Sequence, residues 1–319
     1  MIAIYVNEKS QLYIGVFRKS FVAFTCAFYC LCASGQQGTD AVFDSLHVIG
    51  AGSKLEKVSD QFKFTEGPAV DKAGNIYFTD QPNDHIWKYD ITGKLSLFME
   101  KTGRSNGLYV DKNGNIIACA DEKDELWSIS PAKKVKVLLT NYKGHRMNGP
   151  NDLWIDAKGG IYFTDPYYQR EYWDRKQSDL DGQKVYYLTK GKKEPIIVDD
   201  QLKQPNGIVG TPDGKKLYVA DIGDGKTYEY TINKDGSLSY RKLLFAQGSD
   251  GMTLDDRGNI YVTGQGVTVY NKKGMKIAHI PVAEPWTANI CFGGKDRKTL
   301  FITASTAVYV LRMNVRGVE

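Results

Sequence analysis

Six residues with a side-chain oxygen stand at the same place in a repeated unit: Glu66, Asn106, Asn151, Asn206, Asp250 and Asn289, spaced 40, 45, 55, 44 and 39 residues apart. Carboxylates and carboxamides with no sulfur among them suit a hard cation. Ca2+ takes roughly six to eight oxygen ligands, whereas Zn2+ favours His and Cys. Glu66 and Asp250 would neutralise one such ion, the asparagines would add neutral oxygens, and the remaining positions would take water or a substrate oxygen. The four histidines, His47, His85, His145 and His279, fall in unrelated contexts with no metal-ligand spacing. Asn and Asp also favour turns for purely local reasons, which would account for any one copy. Turn chemistry alone would admit Ser, Thr and Gly as well, so six oxygen-bearing residues argue for a shared task.

The elements that must position these residues repeat with them. Each copy opens on a short apolar segment, as in Asn151-Asp-Leu-Trp-Ile-Asp156. It then turns through a Gly- or charge-rich stretch and runs into a second β-rich segment, Ile161-Tyr-Phe-Thr164 or Leu217-Tyr-Val-Ala220. A third strand generally follows and in most copies a fourth, and no window sustains a helical apolar period. Four short antiparallel strands per ~40–50-residue unit mark a propeller blade. The expected fold is therefore all-β, a six-bladed β-propeller with four-stranded antiparallel blades over residues 55–315. The last copy leaves little chain for a fourth strand, while Leu55-Glu-Lys-Val-Ser59 precedes the first copy. That N-terminal strand is expected to complete the last blade and close the ring. A residue opening an innermost strand sits at the mouth of the axial channel, so the six oxygen-bearing residues should form one ring there. Asp80, Asp121, Asp165 and Asp221, ending second strands, should form a partial outer ring; Asp80, Asp121 and Asp221 read chiefly as turn formers.

Residues 21–33 are an uncharged apolar run directly after Arg18 and Lys19, and Ala33-Ser34-Gly35 supplies small residues at cleavage spacing. Residues 1–35 are read as a signal peptide and 36–54 as a lead-in, making the protein exported, periplasmic or secreted. Thirteen apolar residues fall short of the ~20 a spanning helix needs, so no stable membrane span is expected. A lipoprotein signal using Cys26, Cys30 or Cys32 ranks second, because none follows the usual Leu-Ala-Gly type sequence. Removing Lys9, Arg18 and Lys19 together with Glu8 lowers the formal charge from +5 to +3. With no basic run, that excess gives no case for nucleic acid. The two remaining cysteines, Cys119 and Cys291, lie in apolar strands and read as buried structural thiols.

Gly103-Arg104-Ser105-Asn106-Gly107 matches a nucleophile elbow literally, but no strand-turn-helix context surrounds it, which argues against Ser105 as a nucleophile. Asp179-Leu-Asp181-Gly182 reads as a turn. The third copy carries an insertion, Pro166–Lys184, rich in Tyr, Trp and charge. It leaves from the mouth face and is expected to cover the ring as a lid.

Thr65-Glu-Gly-Pro, Ser105-Asn-Gly-Leu, Met147-Asn-Gly-Pro-Asn-Asp, Phe163-Thr-Asp-Pro, Gln204-Pro-Asn-Gly-Ile, Ser249-Asp-Gly-Met and Asn289-Ile-Cys-Phe-Gly-Gly resemble, in the same order, the gluconolactonase / senescence-marker-protein (regucalcin-like) family of six-bladed propellers. The resemblance implies a divalent-metal-dependent lactonase acting on a small-molecule sugar lactone, with Ca2+ first among the metals and Mg2+, Mn2+ or Zn2+ as alternatives. It places the metal on Glu66, Asn206 and Asp250, with Asn151 at or beside it. It turns Asn106, Arg146 and Asp165 toward the substrate, with Glu122 and the ring residue Asn289 as further contacts. The run Ala120-Asp-Glu-Lys-Asp124 departs from the Cys-Glu-His-Gly-Asn type segment of bacterial gluconolactonases, which bears on Glu122 and on the sugar. Asp250 is the expected catalytic carboxylate, as a base for water or as a nucleophile. A phosphotriesterase- or arylesterase-like hydrolase on the same site, and a non-catalytic Ca2+-binding propeller, are the rival readings. The oligomeric state is not legible in the sequence.

Overall fold

A computed structural model of the protein describes residues 43–319; the expected signal segment, residues 1–35, lies outside the described residues. Six antiparallel sheets follow one another along the chain. The innermost strands are Thr65–Val70, Ser105–Val110, Leu153–Ile155, Pro205–Gly210, Met252–Leu254 and Thr287–Gly293. Each packs against the next, and the last packs against the first. The fold is the six-bladed propeller the repeats imply.

The ring closes as expected. Glu56–Ser59 is the outer strand of blade six, pairing antiparallel with Ala307–Arg312 in the register Glu56↔Val310 and Lys57↔Tyr309. One strand was not foreseen: Phe43–Asp44 adds a fifth strand to blade five, against Lys276–Ile280. The far C-terminal residues run beneath blades five and six. There Gly317 bridges to Asp255, and the Val318 N–H donates to the Leu254 carbonyl at 3.3 Å.

Second strands are buried on both faces, which is why they read as unbroken apolar runs rather than alternating ones. Every residue of Ile161–Asp165 is buried. Aromatic side chains fill the wedges between blades. Phe78 of blade one meets Phe301 of blade six at 5.3 Å between ring centres, and Tyr261 meets Phe292 edge-on at 5.2 Å. Cys119 and Cys291 are free, fully buried thiols whose pKa burial drives well up, in keeping with a structural role.

The first turn of most blades is held by an aspartate. The Asp71 carboxylate accepts from the N–H groups of Ala73 and Asn75 and from Asn75 Nδ2; Asp111 and Asp255 repeat the arrangement, and Asp156 repeats its backbone pair with Lys158 and Gly160. Near the axis the blades approach backbone to backbone. Gly67, at φ +41°, leaves no room for a Cβ, which would lie 2.1 Å from the Asn106 carbonyl oxygen and 2.7 Å from the Gly107 Cα. Neither atom can swing aside, so Gly67→Ala should cost about 3 kcal/mol. Thermal denaturation should register this as a Tm lowered by about 5–10 °C; an unchanged Tm would mean the blades can part without cost.

Candidate active site at the channel mouth

Four ring residues, Glu66, Asn106, Asn206 and Asn289, fall within the first three residues of their inner strands, Asn151 and Asp250 lie two residues ahead of theirs, and local backbone irregularity re-aims several of them. The ladder between first and second strands slips at Glu66–Ala69, Ser105–Leu108, Pro205–Ile208 and Thr287–Asn289. Such bulges re-aim side chains at functional rims. Glu66, Asn106, Asn151, Asn206, Asp250 and Asn289 are all buried at the mouth.

Two carboxylates meet here. Asp250 Oδ1 accepts from Asn206 Nδ2 at 2.8 Å and Oδ2 from Trp286 Nε1 at 2.6 Å. Glu66 Oε2 accepts from the Gly67 N–H at 2.8 Å and from Asn289 Nδ2 at 3.4 Å. Burial raises the pKa of both: Asp250 is pushed up to about 6 against the pull of Trp286 and Asn206, and Glu66 well above the carboxylate range, with the charge of Asp250 adding to the rise. Asp152, one residue beyond Asn151, is a third buried acid, pushed up to about 8 chiefly by burial.

The donor chemistry fits a hard cation. Because an ionised carboxylate can only accept, Asn206 must present its NH2 to Asp250, and its Oδ1 is left buried without a partner; Asn106 Oδ1 is orphaned in the same way. Unsatisfied buried oxygens are costly and rare, and two of them beside two desolvated carboxylates are what a bound cation would satisfy. Among the described residues, no three His, Cys, Asp or Glu side chains are grouped to hold a metal, so any such site draws on the carboxamides.

Three expected substrate contacts are placed elsewhere. Asp165 is fully buried, its oxygens accepting from the N–H groups of Asn148 and Gly149 at 2.9 Å. It braces the segment leading into its own blade, as Asp80 does for Lys63 and Phe64 and Asp221 for Lys203 and Gln204. Arg146 is turned to the surface, its guanidinium paired with Asp174 at 2.8 Å and Asp179 at 3.0 Å. Glu122 is exposed, with Arg104 at 3.8 Å. In each case a nearer partner takes the group that spacing alone had left free.

Four residues of the mouth escaped the sequence reading. Trp286 lies in a loop outside the repeat, so no periodicity marks it. Asp152 adjoins a ring residue but falls outside the repeated pattern. Tyr168 and Arg170 belong to the insertion, which does reach the ring: Asn206 Nδ2 donates to the Tyr168 hydroxyl at 3.0 Å, and Arg170 packs over the Tyr168 ring. Arg170 is the cation whose charge lowers the pKa of Asp250.

Asp121 secures this insertion. In blade two the bracing task passes to Asp84, whose Oδ1 accepts from the N–H groups of Thr102 and Arg104. Asp121 is thereby released to accept from Gln81 Nε2 at 2.9 Å, Arg170 Nε at 2.8 Å and the Tyr172 hydroxyl, while its backbone carbonyl accepts from Trp173 Nε1. Further along, Arg175 is buried against Asp124 and donates to the Met147 and Asn148 carbonyls.

The architecture and the mouth together define a propeller with buried side-chain oxygens gathered at one end of its axis, where the insertion reaches them. Compared with known proteins, residues 64–306 match the model of the SMP-30/Gluconolactonase/LRE-like region, and the chain belongs to that family. It is 28% identical over 304 residues to the gluconolactonase of Zymomonas mobilis, covering 85% of this chain and 84% of that protein. It is 27% identical over 212 residues to the lactonohydrolase oryL of Aspergillus oryzae, covering 58% and 48%. The fold matches that of a gluconolactonase from Xanthomonas campestris (TM-score 0.79, 24% identity, 86% and 95% covered) and of the calcium-binding protein regucalcin from Agrobacterium tumefaciens (0.69, 18%, 83% and 95%).

Cutting the anchor should free the covering segment alone. Removing one partner of a buried ion pair costs about 3 kcal/mol or more. For Asp121→Ala, hydrogen exchange at residues 167–176 should therefore accelerate about a hundredfold while the blades stay protected. Unchanged exchange would show that Arg175 and Trp173 hold the segment without Asp121.

Proposed function

We propose that the protein hydrolyses a sugar lactone, with a divalent cation, Ca2+ first among candidates, held by Glu66, Asn206 and Asp250 and with Asn151 beside it. The observation that carries this reading is the pairing of two buried carboxylates with the partnerless Oδ1 of Asn206 at one channel mouth, in a chain whose relatives include proteins named gluconolactonase and lactonohydrolase. A cation bound there would supply polarisation of the lactone carbonyl and neutralisation of the developing oxyanion.

The chain's own residues do the rest. Trp286 and Asn206 each hold one oxygen of Asp250, fixing the plane of the carboxylate for attack on, or proton removal toward, the lactone carbonyl. Burial raises its pKa to about 6 in the metal-free site; a bound cation would lower it and keep the group ionised, as a base or nucleophile requires. Asn106, whose Oδ1 is buried without a partner, would receive a ring hydroxyl of the sugar, while Asn289 lends its Nδ2 to Glu66 and its Oδ1 to the Ile290 N–H. The Tyr168 hydroxyl and the insertion cover the pocket and limit water to what the reaction consumes.

Hydrolysis of glucono-1,5-lactone followed by pH-stat should cease after EDTA treatment and return with Ca2+ or another divalent ion. Persistence at full rate in EDTA would remove the metal from the proposal. A phosphotriester turned over in place of the lactone would move the site to the rival hydrolase. Asp250→Asn should lower kcat/KM by about a thousandfold or more with the Tm held or raised, since a buried charge is lost; near-wild-type turnover would exclude Asp250 as base and as nucleophile.

Export rests on the sequence of residues 1–35, and we propose cleavage near Gly35. N-terminal sequencing of the protein from its native source should begin there. A start at Met1 would remove cleavage near Gly35 from the proposal, and a lipid-modified cysteine would mark the second-ranked route.

A further inference from the structure

The end of the propeller opposite the ring carries a deep cleft of about 950 Å3 between blades two and three. Its rim bears Lys112, Lys134, Lys136, Lys190, Lys192 and Lys193, all exposed, and among the described residues none of the six has an ion-pair partner. The acids in its wall are largely committed. Asp111 accepts from the N–H groups of Asn113 and Asn115, and Asp156 from those of Lys158 and Gly160 and from the Tyr187 hydroxyl. Glu319, the third, is pushed up to about 7 by burial. The cleft is also deep and apolar at its base, reaching Tyr109 and Trp154 on the innermost strands, with Leu138 and Leu188 on its sides.

The geometry points to a second binding site here, for a small amphipathic anion: an apolar body that reaches Trp154, carrying a carboxylate, sulfate or phosphate held at the lysine rim. Lysine heads are mobile point charges that suit an anionic group without fixing its shape, and six like charges at one rim repel one another until an anion relieves them. A cavity of this size accommodates a drug-sized ligand. A flat anionic surface such as a membrane would engage the lysines but could not reach the floor, so the depth favours a small molecule. The site shares no residue with the channel mouth and does not depend on hydrolysis.

Binding of monomeric decanoate to the intact protein should be followed by calorimetry and by tryptophan fluorescence, without lactone present. Saturable binding below about 1 mM is expected, weakening at least tenfold in Lys190→Glu/Lys192→Glu/Lys193→Glu and with added salt. Trp154→Phe should remove the fluorescence change while calorimetry still reports binding. The charge-reversed lysines are exposed, so folding is not at stake. No binding of decanoate, equal binding of neutral decanol, equal binding of inorganic phosphate, or unchanged affinity in the triple variant would each overturn the proposal. So would binding to phosphatidylglycerol vesicles without binding to decanoate.

Discussion

Six strands can surround one axis only if their backbones come closer than side chains allow. At Gly67 the neighbouring blade's carbonyl occupies the space of a Cβ, and at Gly107 the Asn151 carbonyl oxygen does the same at 2.5 Å. The following contacts depend on that approach. Thr79 Oγ1 reaches across to the Asn106 carbonyl at 3.1 Å, and Thr263 Oγ1 to the Ala288 carbonyl at 2.8 Å, tying second strands to the next blade's inner strand. Carboxyl and carboxamide groups from separate blades are thus brought within reach of each other on, or immediately ahead of, rigid inner strands, which suits a site that must hold its geometry.

That rigidity has an electrostatic counterpart. Glu66, Asp152 and Asp250 are desolvated together, and the charge of Asp250 adds to the pKa rise of the other two. Against that charge the fold sets neutral donors, the NH2 groups of Asn206 and Asn289, the Gly67 and Leu153 N–H groups and the Trp286 indole, with Arg170 more distant. The arrangement is poorly satisfied as a purely structural core and coherent as a receptor for positive charge.

The repeat was legible because strand, turn and strand are local: Ile-Tyr-Phe-Thr reads as a doubly buried strand, and Asp71 or Asp156 with the following Gly reads as its turn. The inner ring followed from topology, since a residue's place in the repeat fixes its place on the axis. What could not be read was the choice among partners distant in sequence. Asp165 and Asp121 occupy equivalent positions, yet one is spent on its own blade and the other holds a segment some fifty residues away. That exchange turns on Asp84, which no repeat highlights. Arg146 sits beside a ring motif and is nonetheless captured by Asp174 and Asp179 of the insertion. Trp286 has no counterpart in the other blades, so only the folded chain shows that it holds Asp250.

Blade six borrows its outer strand, Glu56–Ser59, from the opposite end of the chain. During synthesis that strand emerges before any of the six inner strands and must wait, unpaired, until Ala307–Arg312 has been made. The channel mouth draws on all six blades, and its seam between blades six and one stays open until then. Contacts so far apart in sequence form slowly, so assembly of the pocket is a late, all-or-none event. A ribosome-bound or truncated chain carries every ring residue through Asn289 and still lacks the enclosure that desolvates them.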